Sequence, residues 1–74
     1  MGKMTLDYSK LKGRITEKCG TQKAFAEHLG ISEGTLTSKL RGYTYFTQIE
    51  IFRSIRILDL EPGSVTQYFF SEAV

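Results

Sequence analysis

The stretch 22–41, QKAFAEHLGISEGTLTSKLR, constrains the fold more than any other part of the chain. Its apolar residues Phe25, Leu29, Ile31, Leu36 and Leu40 recur at helical spacing on either side of Gly30. That pattern predicts two short helices, Gln22–Leu29 and 33–41, joined by a tight turn. Such a turn needs a residue that enters positive φ without steric cost, and Gly30 supplies it. Ser32 then stands where its hydroxyl can accept from the free N–H groups of the following helix. Ala26 is small where the two helices must approach closely. With Leu36 and Leu40 pointing inward, Glu33, Gly34, Thr37, Ser38 and Arg41 are left on the outer side.

The remaining segments read as helices packed around this pair. A first helix over 8–19 is expected, with Asp7 as its N-cap and Gly20 just past its end. Tyr8, Leu11, Ile15 and Cys19 form its apolar stripe, and Lys10, Arg14 and Lys18 its solvent side. Cys19 reads as a small buried hydrophobe, because no basic or metal-binding cluster surrounds it in sequence. Thr21 caps the second helix. His28 is the only histidine, has no second ligand at metal spacing, and reads as a surface residue. After Gly42 comes an aromatic run, Tyr43-Thr44-Tyr45-Phe46, part of which must cover the core.

Thr47 with Glu50 three residues later is a capping-box signature for a fourth helix over 48–58. Ile51, Phe52, Ile55 and Leu58 are expected on its inner face, with Ile49 and Ile57 on another side flanking Arg53. A helix apolar on two sides is either deeply buried or meets a partner. Pro62 opens a short fifth helix carrying Val65, Tyr68 and Phe69, followed by Phe70. Two readings of Tyr68, Phe69 and Phe70 stand open: a protein interface, or packing back onto the first and fourth helices. Residues 1–6 read as a flexible lead-in and 71–74 as a free tail.

Seventy-four residues make one domain, here 1–74. A chain of this size buries a small core, so dimerisation would help it. At 41% hydrophobic and 24% charged residues it is globular rather than disordered. The net charge of +2 permits contact with nucleic acid without demanding it. A single cysteine excludes an intrachain disulfide and suits a reducing cytoplasm. No apolar run approaches membrane-spanning length, and the first residues lack a signal-peptide pattern, so a cytoplasmic protein without membrane partners is expected. An enzyme is not expected, nor a cofactor or metal. The chain has no Ser-His-Asp set, no paired-carboxylate pocket and no phosphate-cradling glycine loop.

Gln22 opening a helix, Ala26 in its middle, Leu29-Gly30-Ile31 at the turn, and Leu36 and Leu40 beyond it resemble the helix-turn-helix of small Cro/cI-type (XRE-like) phage regulators. The flanks Tyr8-Ser9-Lys10-Leu11 and Gln67-Tyr68-Phe69-Phe70 are similar to short Cro-like proteins of temperate phages, and the size and pattern of the chain also resemble modulator-of-repression proteins. The resemblance implies an all-α fold of five short helices, a lambda-repressor-like domain whose helices two and three form the helix-turn-helix. It implies a third helix whose N-terminal half enters the major groove. Ser32, Glu33, Gly34, Thr37 and Ser38 would then lie at base edges, with Gln22, Lys23 and Arg41 at phosphates. Further phosphate contacts would come from Lys39, Tyr43, Arg53 and Arg56.

Two functions follow from the resemblance. One is a Cro-like regulator in a lysogeny–lysis switch, binding double-stranded operator DNA as a homodimer. The other is an antirepressor, or modulator of repression, that uses the same fold to bind the phage repressor protein. The outer face of the third helix bears on the choice. Its base-reading part carries an acid at Glu33 and bare backbone at Gly34, and lacks Arg, Asn or Gln for a bidentate base contact. Such a face, with Ile49, Ile57 and the terminal aromatics as surplus apolar surface, suits a protein partner whose basic DNA-reading residues would meet Glu33.

Overall fold

Helix α1, Ser9–Cys19, starts one residue later than expected, with Tyr8 and not Asp7 at its N-cap. The Asp7 carboxylate instead accepts from the Ser9 amide at 2.8 Å, a turn that ties down an otherwise free donor. The computed structural model describes residues 6–72. Five α-helices follow one another: α1, α2 (Gln22–Leu29), α3 (Glu33–Leu40), α4 (Gln48–Ile57) and α5 (Val65–Phe69). A 3₁₀ turn, Pro62–Ser64, leads into α5, with Pro62 at its first position as its fixed φ favours. No strand occurs among the described residues, only an isolated antiparallel bridge between Leu6 and Glu72. The expected all-α fold of five short helices is thus the observed one.

Local chemistry sets the ends of the central helices. The Thr21 hydroxyl accepts from Ala24 N at 3.0 Å, and the Ser32 hydroxyl from Thr35 N at 3.1 Å. At α4 the capping box is complete: Thr47 N donates to Glu50 Oε1 at 2.8 Å, and Glu50 N to the Thr47 hydroxyl at 3.1 Å. Gly30 sits at φ 84°, which lets Ile31 N reach back to Ala26 O at 3.0 Å and closes α2. The turn to α3 is therefore three residues, Gly30 to Ser32.

Helix α2 is the hub, packing against α1, α3 and α4, while α5 lies on α1. Phe25, Ala26 and Leu29 of α2 meet Leu11 and Ile15 of α1, Leu36 and Leu40 of α3, and Leu58 and Leu60 after α4 in one buried cluster. Tyr8, Phe46 and Phe69 close it as two edge-to-face pairs, with ring centroids 5.5 Å and 5.3 Å apart.

Several expectations need correction. On α4 the inward stripe is Ile51, Ser54, Ile55 and Leu58, at i, i+3, i+4 and i+7; Phe52 falls off it and is 56% exposed. Ser54 is fully buried because its hydroxyl donates to Glu50 O at 2.7 Å, which removes the penalty of burying it. Ile57 is half-buried against the core rather than part of an open face. Phe69, one of the expected interface aromatics, is 2% exposed and belongs to the core; Tyr68 is half-buried against it. Of the terminal aromatics only Phe70 stays exposed, at 54%.

Arg14 is not a solvent-side cation. It is half-buried and joins α1 to the end of α4, donating from Nε to Leu58 O at 2.9 Å and from Nη2 to Asp59 O at 3.1 Å. Neither terminus is wholly loose either. Leu6 packs on the core, and Asp7 N donates to Ser71 O at 2.7 Å. The rest of the expected lead-in, 1–5, and of the expected tail, 73–74, lies outside the described residues. Cys19 is half-buried against the core, as its place in the stripe implies. Desolvation pushes its thiol pKa up, away from the thiolate a reactive cysteine needs.

Candidate partner-binding surface

Two exposed stretches are candidates for contact with a partner, the outer side of α3 and the segment from Arg41 to Arg56. On the first, Ser32, Glu33 and Gly34 are exposed while Thr37 and Ser38 are half-buried. The Ser32 and Thr37 hydroxyls are occupied locally. Ser32 Oγ caps Thr35 N and lies 2.8 Å from Thr35 Oγ1, and Thr37 Oγ1 donates to Glu33 O at 3.0 Å. Side chains that bond their own helix offer less to an outside acceptor. Among the flanking residues Gln22 is half-buried, and Lys23 and Arg41 are exposed.

Of the cations expected near phosphates, one is withdrawn. Lys39 is 6% exposed, and its ammonium pairs with Glu50 Oε1 at 3.0 Å, donates to Tyr45 O at 2.8 Å and lies 5.8 Å from the Phe46 ring centre. Burying a lysine head requires this kind of full pairing, so Lys39 is a structural staple and no phosphate ligand. The same contacts explain Glu50. Burial alone would raise its pKa, but hydrogen bonds from Thr47 and Lys39 and the Lys39 charge outweigh it and hold the carboxyl below its ordinary value. Arg53 and Arg56 are exposed; among the described residues Arg53 makes only a long 3.4 Å contact to Leu29 O.

The second surface carries most of the exposed large apolar side chains. Tyr43 is 75% exposed, Tyr45 80%, Ile49 59% and Phe52 56%. On α4 the residues Ile49, Phe52, Arg53 and Arg56 fall at i, i+3, i+4 and i+7, a single outward stripe. The Arg56 guanidinium stacks over the Phe52 ring at 5.3 Å. Ile49 and Tyr43 were singled out from the sequence, whereas Tyr45 and Phe52 were missed as surface residues. The nearest sequence signal to Phe52 is the capping box. It fixes where α4 starts, but it does not decide which of the helix's apolar residues face the core, so Phe52 could not be placed outward from it alone.

Residues 4–72 match the model of a protein family described as "Protein of unknown function (DUF739)". The chain belongs to that family. No curated protein matches it. Among solved structures it is similar to the solution structure of the modulator of repression (MOR) of the temperate bacteriophage TP901-1 from Lactococcus lactis. The two share 45% sequence identity over 93% of each chain, with a TM-score of 0.78. A likeness of that extent identifies a small phage regulator as this protein's structural neighbour.

Proposed function

We propose that this protein is a modulator of repression: it binds the repressor protein of the phage that carries it and thereby changes how that repressor holds its operators. The observation that carries the reading is the 45% identity, over 93% of both chains, to a phage protein of that description. The surface chemistry agrees with it. The α3 face carries an exposed carboxylate at Glu33 and locally engaged hydroxyls at Ser32 and Thr37. A carboxylate among phosphates is repulsive unless it finds a cytosine donor. On this reading the protein works in the bacterial cytoplasm as a binding protein and not as an enzyme.

One feature favours the Cro-like operator reading as the competitor. The N-terminal turn of α3 stands exposed after a tight turn from α2, the arrangement that a helix-turn-helix presents to the major groove. Isothermal titration with the purified phage repressor, run beside fluorescence anisotropy on switch-region DNA across a salt series, separates the two. Heat of complex formation with the repressor and no operator binding at low salt is the expected result. Tight operator binding that weakens steeply with salt, without a repressor complex, would replace this reading with the Cro-like one.

A further inference from the structure

We infer that the exposed strip between Arg41 and Arg56 is the docking surface for an acidic protein surface bearing apolar side chains; on the modulator reading above, on which this rests, that surface belongs to the repressor. The strip is built by a helix that is apolar on two sides. Helix α4 and its C-cap spend Ile51, Ile55 and Leu58 on the core, and the helix leaves Ile49 and Phe52 more than half exposed on the other side. Tyr43 and Tyr45 extend the same segment toward α3. Clustered exposure of this kind marks interaction sites, whereas single exposed apolar residues do not.

Composition distinguishes the strip from the α3 face. Binding energy at protein interfaces concentrates on Tyr, Trp and Arg, while Ser and Thr contribute little. The strip holds two tyrosines, a phenylalanine and Arg41, Arg53 and Arg56; the α3 face holds Ser32, Glu33, Gly34, Thr37 and Ser38. The strip is also held in place before any partner arrives. Lys39 fixes the Tyr45 carbonyl, Phe46 is buried next to it, and the Thr47–Glu50 capping box anchors the start of α4. Stacking on Phe52 orders the Arg56 guanidinium. Side chains already ordered lose less entropy on binding.

Charge selects the partner. Glu50 is the only acid between Arg41 and Arg56, and its carboxylate is tied to Lys39 and Thr47. Among the described residues Arg41, Arg53 and Arg56 form no salt bridge, so the strip shows guanidinium groups not paired with carboxylates. A second copy of this chain docking strip to strip about a two-fold axis would set arginine against arginine. A phosphate backbone would answer the arginines but leave Ile49 and Phe52 without apolar cover. A surface that has carboxylates around apolar side chains answers both.

The test is an amide chemical-shift map of the ¹⁵N-labelled protein titrated with unlabelled repressor, with operator duplex, and with itself by dilution. Affinities for the repressor are then measured for the double variants Ile49→Ala/Phe52→Ala and Arg53→Glu/Arg56→Glu. All four side chains are exposed, and circular dichroism checks that the variants keep the fold. The expected result is perturbation over 43–56 by the repressor, with each double variant weakening binding by about tenfold or more. Charge reversal should also abolish the salt dependence of the complex. Perturbation confined to 32–41, with both variants binding like wild type, overturns the strip and leaves the modulator reading intact. No repressor binding by the wild type overturns that reading and the strip's assigned occupant together. Perturbation of the strip by duplex or by self-association, and not by repressor, overturns the acidic protein partner.

Discussion

Lys39 shows how far a single residue can depart from its place in the sequence. Beside Arg41 and near the end of a helix it reads as a phosphate contact, yet it is buried against Glu50 and the Tyr45 carbonyl. Tyr45 lies within the 41–47 loop and Glu50 beyond it, and sequence spacing carries no information about how that loop returns. The caps Thr21, Ser32 and Thr47, by contrast, are legible because donor and acceptor are three residues apart. Replacing Lys39 by Met keeps the apolar stem but leaves Glu50 without its cation and Tyr45 O without its donor. Urea denaturation should show a loss of about 2 kcal/mol, below that of a fully buried pair because Glu50 retains the Thr47 amide. The pH dependence follows from the same pair. Glu50's folded pKa is depressed, so its contribution is present above the unfolded-state value and is lost as pH falls through the folded one. Urea midpoints measured from pH 7 down to pH 3 should fall on the acid side, and Glu50→Gln should flatten that fall while lowering the plateau.

At the scale of elements, boundaries were legible and helix phase was not. The bounds Gln22–Leu29 come out as read, because Thr21 and Gly30 punctuate both ends. In α4, apolar residues at 49, 51, 52, 55, 57 and 58 allow more than one inward stripe, and a buried serine is the last residue a hydrophobic pattern selects. The end of α4 holds a further element-scale feature. Leu60 N reaches back to Ile55 O at 2.9 Å, and Asp59 N to Arg56 O at 3.3 Å, the pattern of a Schellman ending. Asp59 occupies its left-handed position at φ 52°, where α2 has Gly30. Asp59→Gly should therefore stabilise the domain by about 1 kcal/mol, since the backbone conformation is kept and its strain removed. A thermal melt should rise by about 4–8 °C. Helix α3 offers the opposite exchange. Gly34 has helical neighbours and open space where a Cβ would go, so Gly34→Ala should add up to about 1 kcal/mol in the same melt. A fall in midpoint for either variant would mean that the helix end or the face is held by something other than backbone preference.

At the scale of the whole molecule, closure comes from contacts distant in sequence, and these were the least legible. Tyr8 precedes α1, Phe46 follows α3, and Phe69 ends α5, yet their rings interlock at 5.5 Å and 5.3 Å. Helical spacing placed Phe69 correctly on a stripe with Val65 and could not say whether that stripe faced a partner or the chain's own start. The answer lies in the pairing of the ends, where Asp7 N donates to Ser71 O and Lys10 pairs with Gln67. Those contacts lay α5 along α1 and turn Phe69 inward. A domain of this length has a total stability of about 4–11 kcal/mol, and emptying a buried phenylalanine site costs about 3–5 kcal/mol. Phe69→Ala should therefore remove a large share of the stability and lower the urea midpoint without splitting the transition, because α5, α1 and the 43–46 loop share one core. Phe70→Ala, one residue further on and 54% exposed, should change it by less than about 0.5 kcal/mol. Equal losses from the two variants would mean that the terminal aromatics act as one surface. A biphasic Phe69→Ala transition would mean that α5 docks on a core already complete without it.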